Sequence, residues 1–134
     1  MAKTYTLNVA GLTRELTICK VNDHMDIAAF IMLGDAELTV AAATELLKKC
    51  PEFDILLTAE AKGIPLAHEM SRQSGKRVLV VDDVISTGGS LKALDALAEQ
   101  TQCTIVGQAA VLAEGDAAER KDIIFLEPLP LFFH

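Results

Sequence analysis

Tryptophan is absent from this chain, and one Tyr and five Phe leave an aromatic share of only 4%. Platforms for single-stranded nucleic acid need rings on which bases stack, so the composition argues against that class of function. Positive charge is scarce too. Twelve Lys and Arg stand against 19 Asp and Glu, a net charge of −7, which disfavours general affinity for nucleic acid or anionic membrane. Cysteine is limited to Cys19, Cys50 and Cys103. They are odd in number and lack metal-ligand spacing, so buried structural thiols are expected. No apolar run approaches membrane-spanning length, and the N-terminus lacks the basic-then-apolar pattern of a leader, so the chain reads as cytoplasmic. Repeats, linkers and low-complexity stretches are missing as well. His24, His68 and His134 show no spacing to an acid or nucleophile, and no role is assigned to them.

What is present is enough for a core. At 134 residues with 51% hydrophobic residues, the chain suits one α/β domain. Residues 4–9 alternate, as do Leu16 and Ile18, with Gly11 between them; a β-hairpin over 1–22 is predicted. The apolar run 27–33 predicts a buried strand. Gly34-Asp35 then offers a turn and an N-cap to an amphipathic helix over 36–49, which ends in two lysines before Cys50-Pro51. A second buried strand is predicted at 53–57, a helix from Pro65 to Gln73, and further strands at 78–82, 104–112 and 123–126. A helical turn is expected at 116–119 and an apolar, Pro-broken tail over 127–134. Strands alternating with helices over 27–126 predict a single-domain α/β fold, with a central parallel sheet and helices on both faces. The strands at 27–33, 53–57, 78–82 and 104–112 are its expected core.

The most informative stretch is Val78-Leu79-Val80-Val81-Asp82-Asp83-Val84-Ile85-Ser86-Thr87-Gly88-Gly89-Ser90. Four aliphatic residues read as a strand buried on both faces, with two carboxylates where it is expected to end. A small-residue loop follows, and from Leu91 the pattern turns helical. Backbone N–H groups of such a loop can enclose a phosphate, and the helix dipole adds attraction. The paired acids suit a hydrated Mg²⁺ or a polyol. A sugar phosphate offers both kinds of partner. A Walker-type loop is excluded because its Lys is missing. A receiver domain is excluded by order, since its acid pair lies near the start of the chain.

This segment resembles the signature of the type I phosphoribosyltransferases, which bind 5-phosphoribosyl-1-pyrophosphate (PRPP). The resemblance implies that Asp82 and Asp83 hold the ribose hydroxyls and, through water, Mg²⁺, and that they orient the sugar ring in catalysis. It implies that Ser86, Thr87, Gly88, Gly89 and Ser90 wrap the 5′-phosphate. One βα unit earlier, Glu60-Ala61-Lys62-Gly63 is similar to the Glu-Ala-Arg-Gly pyrophosphate loop of adenine phosphoribosyltransferases. Lys for Arg keeps charge but loses bidentate geometry. The implied reaction is Mg²⁺-dependent transfer of ribose 5-phosphate from PRPP to a purine base, adenine first, with release of pyrophosphate. The partners expected are small molecules, with no nucleic acid and no membrane; a homodimer is left open.

One part of the family pattern is missing. Members carry several tens of residues, including a mobile lid, between the helix after the pyrophosphate loop and the signature strand. Only Ser74-Gly75-Lys76-Arg77 stands here. Four residues make an αβ connection but not a lid. The chain therefore reads as lacking the lid segment between Gly75 and Lys76, by excision or by nature. Three outcomes are weighed at this point: a transferase, a lid-less phosphoribosyl-binding module that transfers poorly, or a truncated scaffold that binds nothing tightly, which the intact signature disfavours. The tail Leu129-Pro130-Leu131-Phe132-Phe133 resembles the base-covering tail of purine-type members, or is plain edge packing.

Overall fold

The computed structural model describes residues 3–59, 61–75, 77–100 and 105–133. The chain opens as a hairpin of β1 (Thr4–Val9) and β2 (Leu12–Asn22), paired antiparallel from Thr4↔Thr17 to Val9↔Leu12. Its two-residue turn has Ala10 at φ 51° and Gly11 at φ 76°. Positive φ at both positions matches the right-handed twist of the flanking strands. β3 (Met25–Ala28) adds to β2. Helix α1 (Ala36–Lys49) follows, with Asp35 as N-cap and Cys50 as C-cap. Next come β4 (Ile55–Thr58), α2 (Ile64–Ser74), β5 (Arg77–Ile85) and α3 (Gly89–Gln100). After β6 (Gln108–Glu114) the chain makes a 3₁₀ turn over Gly115–Glu119, and β7 (Ile124–Leu129) and β8 (Leu131–Phe133) complete the fold.

Two four-stranded sheets result, in the orders β1-β2-β3-β8 and β4-β5-β6-β7. The first is antiparallel throughout and the second parallel throughout. Side chains of the first sheet, Leu7, Val9 and Leu16, share one apolar layer with Leu38 and Leu46 of α1, Leu66 and Met70 of α2, and Ala109 and Val111 of β6. A second layer joins Leu91 and Leu94 of α3 to Ile85, Ala110 and Ala117. Alternate residues of β6 thus face α1 and α2 on one side and α3 on the other, so the parallel sheet is covered on both faces, as its helices were predicted to do.

The placement of α2 has a topological consequence. The parallel strands lie in chain order, α2 covers one face, and both α3 and Ala117 of the 3₁₀ turn belong to the other. Successive crossovers that move the same way across a sheet on opposite faces have opposite hands. The unit β4-α2-β5 is therefore opposite in hand to the two that follow it. Because crossovers are right-handed in about 98% of cases, this parallel sheet contains an exception to a strong preference.

Several expectations need correction. The run 27–33 is not a core strand of the parallel sheet. Only Met25–Ala28 is strand, and it is antiparallel. Beyond it Phe30 and Met32 are buried while Ile31 and Leu33 are 63% and 64% exposed. An unbroken apolar run does not show whether one or both faces will be covered. The fourth parallel strand is β7, so the α/β core extends past residue 126 to Leu129. The tail is a strand and not a loose end. Leu131–Phe133 pairs with β3, and Phe132 meets Tyr5 edge to face at 5.8 Å. The strand predicted at 53–57 starts two residues later, and that at 104–112 is Gln108–Glu114, with residue 104 outside the described residues. Cys19 is exposed, against expectation, and Cys50 is partly buried, its thiol pushed up to about 11 by desolvation. Cys103 lies outside the described residues.

Candidate active site at the carboxyl edge of the parallel sheet

Both chemistry-bearing segments follow parallel strands, and in such sheets ligands bind beyond the strand carboxyl ends. The three helix N-termini differ in a way that marks the site. The N-terminus of α1 is fully used: Asp35 Oδ1 accepts from Leu38 N at 3.0 Å, and Arg14 of β2 clamps Asp35 and Glu37 with hydrogen bonds of 2.7–3.1 Å. That network holds the Asp35 carboxyl below its usual range, chiefly through the Arg14 hydrogen bond. In contrast, α2 starts at Gly63 with no side-chain cap, and neither α2 nor α3 has an acid in its first turn. Their first N–H groups are thus left without anionic side chains, and the positive ends of both dipoles stay uncompensated.

The loop before α3 has the geometry that a phosphate cradle needs. Gly88 has φ +79°, a conformation that side chains disfavour. Its carbonyl accepts from Lys92 N at 3.1 Å, which closes the first turn of α3. Gly88 is buried, whereas Ser86, Thr87, Gly89 and Ser90 are exposed.

The acids are set deeper than predicted. The strand does not end at Asp82 but runs to Ile85, with Asp82 opposite Ala110 and Ile85 opposite Ala113 on β6. Asp83 is 4% exposed. Its Oδ1 accepts from Val84 N at 2.9 Å, while its Oδ2 has no partner. Buried polar atoms without partners are rare because each costs its desolvation energy. Asp82 is half-buried, and its Oδ1 accepts from Asp83 N at 2.9 Å.

The second loop lies against β5 beside Asp82. Of its four residues, Ala61, Lys62 and Gly63 form a turn, and Glu60 lies outside the described residues. Ala61 and Lys62 are exposed, and Gly63 is buried. A Cβ at Gly63 would overlap Thr58 Oγ1 and stand 3.3 Å from Asp82 Cα and Val81 O. Only glycine lets this loop rest on β5 beside Asp82. Lys62 is near enough to favour the ionised form of Asp82. The fold thus brings Lys62, Gly63, Asp82, Asp83 and the 86–90 loop to one sheet edge. Thr58 and, beside Gly88, Arg120 also belong to this neighbourhood. Sequence spacing gave no signal for Arg120, which lies one strand further on, after β6.

Burial dominates the titration of Asp82 and pushes its carboxyl up to about 6, from an ordinary 3.8. Between those values the folded chain holds a proton that the unfolded chain has released. Stability from this group therefore falls as pH rises from about 4 to about 6, and stays lower above that. In melts taken across this window, wild type should lose stability relative to Asp82→Asn as pH rises. A pH-independent difference between the two would contradict this assignment.

Whether the residues fit Mg²⁺ can be judged from the donors. Two carboxylates stand side by side, and one has an unused buried oxygen. Among the described residues no group of three or more His, Cys, Asp or Glu is placed to hold a metal ion. That set cannot form an all-protein cage. It fits a largely hydrated Mg²⁺ that also takes oxygens from a ligand. No helix among the described residues is long and apolar enough to cross a membrane.

Comparison with known proteins agrees with this geometry. Residues 71–129 match the family described as phosphoribosyl transferase domain, a span that holds β5, the 86–90 loop, α3, β6 and β7. The chain is 55% identical over 47 residues to adenine phosphoribosyltransferase of Xanthomonas campestris pv. campestris (strain B100), covering 35% of this chain and 25% of that protein. The enzyme of the same name from Symbiobacterium thermophilum is 41% identical over 54 residues, covering 40% and 32%. The matches thus span a quarter to a third of the length of these relatives. Residues 71–129 are similar to a phosphoribosyl transferase domain, and the proteins that the chain resembles over part of their length are adenine phosphoribosyltransferases.

Proposed function

We propose that this chain binds PRPP with Mg²⁺ and transfers its 5-phosphoribosyl group to a purine base, adenine first, with release of pyrophosphate. A cytoplasmic setting goes with that reading. The observation that carries it is the buried Asp83 carboxylate with an unpartnered oxygen, on the strand that leads to the glycine-started helix α3 and beside which Gly63 starts α2. One N-terminus suits a phosphate monoester and the other a diphosphate, while vicinal hydroxyls of a ribose suit the acid pair.

In the reaction the bond from C1 of the ribose to the pyrophosphate oxygen breaks, and a bond from a base nitrogen to C1 forms on the opposite face. Positive charge builds on the ring as the leaving group departs. Asp82 and Asp83, both on β5, would hold the ring hydroxyls and oppose that charge from fixed positions. Backbone N–H groups at residues 61–63, with Lys62, would receive the diphosphate. The loop 86–90 would anchor the 5′-phosphate, so that binding energy from a non-reacting group positions C1. Bound Mg²⁺, held through water by Asp82 and Asp83, would add neutralisation of the leaving diphosphate. The relatives are named as transferases, so the matches do not favour a module that only binds.

The test is calorimetry with PRPP and Mg²⁺, followed by a pyrophosphate-release assay with adenine, hypoxanthine, guanine and xanthine. Saturable PRPP binding and release that is fastest with adenine are expected. Binding with no release for any base would reduce the chain to a binding module. No PRPP binding at all would end the proposal.

A further inference from the structure

Arg120 was not singled out by any sequence motif, yet the fold delivers it to the phosphate loop. It follows the 3₁₀ turn between β6 and β7, and its backbone N–H donates to Ala117 O at 3.2 Å. Its Nε donates to Asp122 Oδ1 at 2.9 Å and its Nη2 to Asp122 Oδ2 at 2.5 Å. This two-point grip occupies one edge of the guanidinium and fixes the plane of the other. The free edge faces the loop: Nη1 lies 2.9 Å from where a Cβ on Gly88 would stand. The side chain is one-third exposed, so it is held in place and still reaches solvent at the mouth of the loop. Asp95, on α3, is also close enough to favour the charged guanidinium.

Three features therefore meet at Gly88: a positive-φ glycine, the N-terminus of α3 with no acid in its first turn, and a guanidinium with an unused Nη1. The first two supply neutral N–H donors, and Arg120 supplies the full charge. We propose that Arg120 is a ligand-binding residue whose Nη1 donates a charge-assisted hydrogen bond to the phosphate monoester held by the 86–90 loop, with Asp122 as its positioning residue. The proposal rests on the phosphoribosyl reading above and adds to it a side-chain cation for the 5′-phosphate. It also explains why a glycine is suited to position 88 beyond its φ: a side chain there would stand in the space of Nη1.

Calorimetry on the full chain with ribose 5-phosphate, and separately with inorganic phosphate, tests this. Arg120→Gln should weaken both ligands about tenfold or more, the scale of one charge-assisted hydrogen bond, and should lessen the dependence of affinity on salt. Arg120→Lys should recover part of that loss. Asp122→Asn loosens the two-point grip that orients the guanidinium, so the same ligands should bind about two- to fivefold more weakly. Wild type that binds ribose 5-phosphate, with Arg120→Gln within twofold of it, would overturn the Arg120 assignment and leave the phosphoribosyl reading standing. Wild type that binds neither ligand would overturn both. If Arg120→Gln does not fold, Asp122→Asn decides: its side chain is 65% exposed, and unchanged or tighter affinity there overturns the proposal.

Discussion

Replacing both acids, Asp82→Asn with Asp83→Asn, should lower affinity for ribose 5-phosphate and PRPP by about a hundredfold or more while the unliganded chain melts no lower than wild type. The two halves of this expectation have one cause. Asp83 is buried within β5 and leaves an oxygen without a partner, and burial holds the neighbouring Asp82 carboxyl well above its usual range. Buried carboxylates of that kind cost stability in the unliganded state and are repaid when a ligand supplies donors or positive charge. Asn keeps the oxygens that accept from Asp83 N and Val84 N, so the local backbone geometry has no reason to change. It removes the charge that a polyol or hydrated Mg²⁺ would meet. A stability gain at the expense of binding is the expected signature of functional acids. Thermal melts paired with ribose 5-phosphate titrations read both effects. A variant that unfolds, or one that binds as wild type does, would show that the acids are structural.

Gly88→Val should abolish binding of ribose 5-phosphate, with the fold retained and modestly weakened. The reason is conformational before it is steric. At φ +79° a β-branched residue is strained by roughly 1–2 kcal/mol or more, and the loop would relax into a different path. The N–H groups that should converge on a phosphate would then point elsewhere. The added side chain would also meet Arg120 Nη1, at 2.9 Å from the first carbon alone. The two effects displace backbone donors and guanidinium together, so little of the anion site would remain. The strand before the loop and the helix after it are held by Val81, Ile85, Leu91 and Leu94, all buried, which is why the domain should survive. Unchanged affinity in Gly88→Val would count decisively against the loop as the phosphate site.

Local chemistry explains what could be read in advance. The hairpin turn, the Asp35 cap and the Cys50 stop of α1, the glycine after α2, and the strand–loop–helix at 78–90 are all determined by residues a few positions apart. Backbone conformation and capping at such points depend on nearest neighbours. The residue types needed for sugar-phosphate chemistry were legible for the same reason, since one βα unit supplies the acids, the glycines and the helix N-terminus together.

Whatever depends on which faces are covered could not be read that way. The run 27–33 is as apolar as a two-sided core strand, but Met25–Ala28 became part of an antiparallel sheet because β2 and β8 were available to pair with it. The depth of Asp82 and Asp83 was set by β6, whose ladder continues opposite them to Ala113 and carries the strand beyond the acids. The seat of the 61–63 loop on β5 depends on Gly63 resting against Thr58, Val81 and Asp82, residues on two adjacent parallel strands. Arg120 reaches Gly88 only because β6, parallel to β5, and the 3₁₀ turn after it carry the chain there. The sequence by itself therefore determined the chemical class of the site, because that class is written in one contiguous segment. Tertiary structure decided the burial of its carboxylates, the seat of the 61–63 loop on β5 and the placement of Arg120 beside Gly88. Those depend on non-local packing, which no short stretch of residues encodes.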